Sequence, residues 1–132
     1  DDLLQLIETS SASGLEPSLI RLLDKLAYEV HGIEFVFDER EFPNPPSVDH
    51  QLTRSKVESL FPRWVYLPES PINDITPDPH GDLEEILSDL MDVRWRWENA
   101  SEMDALRDLQ FGFQTHWGRH LRLLQLYLHD LS

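Results

Sequence analysis

The chain has 132 residues and a net charge of −14, from 11 basic and 25 acidic side chains, so it repels phosphate backbones and anionic lipid heads; no nucleic acid and no membrane partner is expected. With 40% hydrophobic and 27% charged residues it reads as one globular domain over residues 1–132, large enough to bury about two-thirds of its unfolded surface. It contains no Cys and no apolar run near the roughly 20 residues of a membrane span, and its first residues, Asp1-Asp-Leu-Leu, lack the basic start of a signal peptide, so a cytoplasmic protein without disulfides or thiolate metal sites is expected.

In chain order, Asp1 to Glu8 carries Leu3, Leu4, Leu6 and Ile7 and can form about two helical turns that need docking to persist. The Ser-rich stretch from Thr9 to Gly14 breaks it. Pro17 suits the first turn of the next helix, where a missing N–H costs nothing. Leu19, Leu22, Leu23, Leu26, Val30, Ile33 and Phe37 recur at steps of three and four, which predicts an amphipathic helix to about Asp38. Tyr28, His31 and Phe35 fall on its other side, and Glu34 lies at the edge of the stripe.

Pro43, Pro45 and Pro46 make the following segment a connection. One short helix is expected between Ser47 and Phe61, with Ser55 and Glu58 at capping-box spacing. Trp64-Val-Tyr-Leu67, closed by prolines on both sides, reads as an extended segment lying across the helices. Pro68 to Gly81, with four prolines, reads as an irregular loop.

Asp82 is expected to cap a helix whose stripe is Leu83, Ile86, Leu87, Leu90, Val93 and Trp97. A second row, Leu87, Met91 and Trp95, needs a cover, and the Pro-rich loop is the expected one. Eight carboxylates and no Lys or Arg lie between Glu69 and Asp92, a run that reads as a solvated face, with a basic protein partner as the alternative. Ser101, with Asp104 three on, restarts a helix expected to run unbroken from Glu102 to Leu131, roughly 45 Å. Its core face holds Leu106, Leu109, Phe113, Trp117, His120, Leu121, Leu124, Leu128 and Leu131, with His116 at the edge and Phe111, Gly118, Arg122 and His129 opposite. The fold class is therefore all-α, an antiparallel helical bundle with one long C-terminal helix and Pro-rich irregular connections.

Three stretches, Val65-Tyr-Leu-Pro68, the acidic helix from Asp82, and above all Phe113-x-x-His116-Trp-Gly-Arg-His120, resemble the domain of unknown function 5063 family of bacterial proteins. The resemblance covers roughly the C-terminal half. It implies a small, mostly helical cytoplasmic protein and no particular activity. Where the family pattern has a basic residue before the Phe-x-Phe pair, this chain has Gln110.

Two His four apart on a helix can hold one metal ion, but the zinc-protease pattern needs Glu at the second position, where Trp117 stands. None of the six His has a Glu three residues before it, which excludes the di-iron bundle pattern. His120 is expected to be a core His bonded to a carboxylate or carbonyl, with Gly118 admitting a close backbone. The sequence has no P-loop, G-x-G-x-x-G or G-x-S-x-G, so no catalytic residue, metal or cofactor is assigned and the balance leans away from an enzyme. The preferred expectation is a non-catalytic accessory protein that binds another protein, with His116, Trp117, Arg119, His120, Phe111 and Trp95 as candidate contacts. The alternative is a metal or small-anion site on His116 and His120, joined by Glu34.

Overall fold

A computed structural model describes residues 2–9, 15–34, 40, 42–65 and 77–131. These form six helices and no strand: α1 (Asp2–Thr9), α2 (Glu16–Val30), α3 (His50–Leu60), α4 (Pro79–Asn99), α5 (Glu102–Thr115) and α6 (Trp117–Leu131). The all-helical bundle is as expected. None of the described helices is long and apolar enough to cross a membrane.

The central element is α4, which packs against α1, α3, α5 and α6. Its N-terminus lies one turn before the expected cap. Asp78 accepts the Gly81 N–H and Pro79 occupies the first turn, so Asp82 is released from capping and buried inside the helix. Leu83, Ile86, Leu87 and Leu90 are buried as expected, whereas Trp97 of the predicted stripe is 48% exposed because the bundle ends before the last turn of α4. Met91 and Trp95 are half-buried and line a groove with Pro45, Pro46 and Val48, so the first proline connection reaches the row that needed covering. Tyr66 to Thr76, most of the second, lies outside the described residues, as do Phe35 to Glu39.

The helix expected to reach Asp38 ends at Val30. Gly32 and Ile33 donate to the carbonyls of Glu29 and Val30 in a tight turn, and glycine is a poor helix residue. For α3 the cap is Asp49, which accepts the Leu52 N–H, and Ser55 lies exposed in mid-helix. Trp64 leaves α3 buried and stacks on Phe61 at 4.3 Å, and the Val65 N–H donates to the Tyr127 hydroxyl at 2.9 Å.

Ser101 caps α5 as its spacing implied, accepting the Asp104 N–H at 2.9 Å. The two-residue turn at Ala100 and Ser101 makes α4 and α5 an antiparallel hairpin. Arg96 of α4 pairs with Asp104 and Asp108 near the turn, while Asp89 and Asp82 meet His116 and His120 farther along.

The expected 30-residue rod is the main correction, for the helix breaks at His116 (φ −145°, ψ −80°). The His116 N–H still donates to the Gly112 carbonyl at 2.7 Å and closes α5, and the Arg119 N–H donates to the His116 carbonyl at 3.2 Å and opens α6. Trp117 explains the break. Its indole folds back over Gly112, its Nε1–H donates to the Leu109 carbonyl at 3.1 Å, and its ring meets Phe113 edge-on at 4.8 Å, all while fully buried. A continuous helix gives Leu109 no partner eight residues on.

Candidate metal centre

At the break the His116 side chain is turned towards α4. Its Nδ1 lies 2.6 Å from Asp89 Oδ2 and its Nε2 lies 3.3 Å from Glu85 Oε2. His120, in the first turn of α6, stands beside it with ring centroids 5.0 Å apart and places Nδ1 2.8 Å from Asp82 Oδ1. One nitrogen of each imidazole and one oxygen of Glu85 all lie within 4.8 Å of one another, and among the described residues no other group of His, Cys, Asp and Glu is so arranged.

Each imidazole thus has Nδ1 against a carboxylate, while the His116 Nε2 faces Glu85, so the second nitrogen of each ring is the one placed to meet a ligand. Bracing of this kind fixes the tautomer and makes the free nitrogen a better donor to a metal. Asp82 is 7% exposed, and burial pushes its carboxyl up, against the opposing hydrogen bond from His120. The same hydrogen bond raises the His120 imidazole above its ordinary value, with desolvation working the other way. His120 is therefore held by a carboxylate, as the sequence implied, but it is only partly buried.

On the other side of α4, His50 Nδ1 is paired with Glu84 Oε1, and the Ser88 hydroxyl donates to the same oxygen at 2.9 Å. The hydrogen bond to Glu84 raises the His50 imidazole against the opposing desolvation, and the charges of Glu84, Glu85 and Asp89 add to the rise. Because the folded value lies above the unfolded one, the stabilisation from this pair is complete below about pH 6.5 and fades as pH rises through the folded value. An NMR titration is expected to place the His50 midpoint above the ordinary value, and Glu84→Gln to bring it back. An ordinary midpoint in the unaltered protein would show that the pair does not form.

The part of the acid run that lies in α4 is accordingly not a plain solvated face. Asp82 and Glu84 are buried, Glu85 and Asp89 are half-buried, and all four are turned towards histidines. Asp82, Glu85 and Asp89 are spaced by three and four, which puts them within about 60° of the helix circumference. That spacing was the available signal, obscured by the number of carboxylates around it. Glu34 is exposed and takes no part in the cluster; the third ligand is Glu85, because α4 is the helix packed against the break.

Of the six candidate residues, His116 and His120 converge, Trp117 lies buried beneath them, and Arg119 is exposed beside them. Arg119 has no ion pair or side-chain hydrogen bond among the described residues. Phe111, 63% exposed, and Trp95, in its groove, lie outside the cluster. No family model, curated protein or solved structure matches the chain, so the family resemblance rests on the quoted residues alone.

Proposed function

We propose that this is a small cytoplasmic metal-binding protein whose ion is held by Glu85, His116 and His120. One observation carries the reading: two imidazoles and a carboxylate from two helices converge within 4.8 Å, and both imidazoles are braced at Nδ1 by separate carboxylates. Structural packing of a histidine asks for one such brace and no convergence. Two nitrogens and one oxygen suit zinc or another divalent transition metal better than magnesium or calcium, which prefer all-oxygen shells. Bonds of about 2.1 Å set tetrahedral ligand atoms about 3.4 Å apart, so the half-exposed side chains close by an ångström or so around the ion. An ion between Glu85 and His116 takes the place of their direct contact.

Docking of a protein partner on the acidic helix is the weaker reading, because the carboxylates it needs are occupied by histidines. Calorimetric titration of chelator-treated, untagged protein with zinc is expected to show one ion per chain. Zinc at roughly 100 times Kd should stabilise the fold by about 2.7 kcal/mol, read as a rise in the thermal midpoint. Glu85→Ala and His116→Ala should each abolish both effects. Zinc uptake that persists in the double variant places the ion elsewhere.

A further inference from the structure

Resting on the metal-binding reading, we propose that the ion keeps an open coordination position and that this position, together with Arg119, takes a small oxyanion, phosphate or carboxylate. Three protein ligands leave a tetrahedral ion one position short, the arrangement of sites that exchange a ligand, whereas structural zinc sites close with four. Among the described residues no fourth His, Cys, Asp or Glu joins the cluster. Asp82 and Asp89, the nearest alternatives, are spent on the Nδ1 atoms. The side chains of His116, Glu85 and His120 are 45%, 35% and 27% exposed, so the side of the ion away from α4 faces solvent.

Arg119 supplies the second half of the site. It follows His116 by three residues and precedes His120 directly, on the first turn of α6. In a chain with 25 carboxylates, Arg54, Arg94 and Arg96 each pair with at least one, whereas Arg119, next in sequence to His120, pairs with none among the described residues. A guanidinium left unpaired in such surroundings is available to an outside anion, which it grips with two parallel N–H donors. Local charge permits this. A divalent ion and Arg119 offset Glu85, Asp82 and Asp89, so an arriving oxyanion meets no net negative charge at the site, and the rest of the −14 is screened beyond about 10 Å in ordinary salt.

Cobalt is the probe, because its visible spectrum reports ligand exchange. Cobalt-loaded protein is titrated with inorganic phosphate, phenyl phosphate and acetate, which separates free phosphate, an esterified phosphate and a carboxylate as the source of the oxygens. A spectral change that saturates with any of the three is expected, and Arg119→Ala should keep cobalt one-to-one while weakening the anion at least about tenfold. An unchanged spectrum with all three anions, or an Arg119→Ala variant that binds as tightly as the unaltered protein, overturns the proposal while leaving the metal-binding reading intact. Failure to take up cobalt or zinc at all overturns both.

Discussion

Trp117→Ala is expected to lower the free energy of unfolding by about 3–5 kcal/mol, the range for emptying a fully buried aromatic site. The loss has two parts. The indole is completely buried between α5 and α6, so its removal leaves a cavity beside Phe113 and Gly112 that neither helix can fill without moving. Its Nε1–H also donates to the Leu109 carbonyl at 3.1 Å, a bond that helps hold the break in place. Urea unfolding measures the total. Metal uptake should weaken in parallel, because the same indole fixes the turn that presents His116; a variant that loses stability but binds zinc normally shows that the turn holds without it. Trp117→Phe refills most of the volume without the N–H and should fall between the two.

Gly118→Ala has a comparable effect for the opposite reason. A Cβ at Gly118 lies 2.1 Å from the Phe113 carbonyl oxygen and 2.9 Å from the Phe113 ring, and the nearer obstacle is backbone that cannot rotate aside. The start of α6 must separate from the end of α5, at a cost of about 3 kcal/mol or more, the upper part of the range for overpacking. Gly32→Ala is the control: its nearest obstacle is the Glu29 carbonyl at an ordinary 3.7 Å, so stability should change by about 0.5 kcal/mol or less in either direction. Equal losses at the two positions indicate a general cost of removing glycine and not the close approach of α6 to Phe113. Gly118 does admit a close backbone, as the sequence suggested, but that backbone belongs to the preceding helix.

The sequence carried the helices better than the break. Leu83 to Leu90, Leu121 to Leu128 and the Ser101 cap follow directly from spacing, and the structure has them buried or capped accordingly. The interruption at His116 leaves little trace, since Trp117, Leu121 and Leu124 are buried and Phe113 packs against the same core, as one uninterrupted stripe would have them. Gly112, four residues before His116, and Gly118, two residues after it, were the local sign. The site was half legible for a related reason. His116 and His120 stand out in any reading, whereas Glu85, Asp82 and Asp89 look like surface acid until α4 is known to begin at Pro79 and to lie against the break. The start of α4 was itself missed by one turn, because Asp82 and Glu85 offer the same capping spacing that Asp78 and Gly81 realise.

The measurement that bears most directly on the account is anomalous diffraction at the zinc edge from crystals of zinc-loaded protein. A single strong peak bonded to Glu85 and to the Nε2 atoms of His116 and His120, with Asp89 and Asp82 still on the Nδ1 atoms, is the predicted result. A peak elsewhere on the chain, or a continuous helix through His116 with the two imidazoles apart, contradicts it.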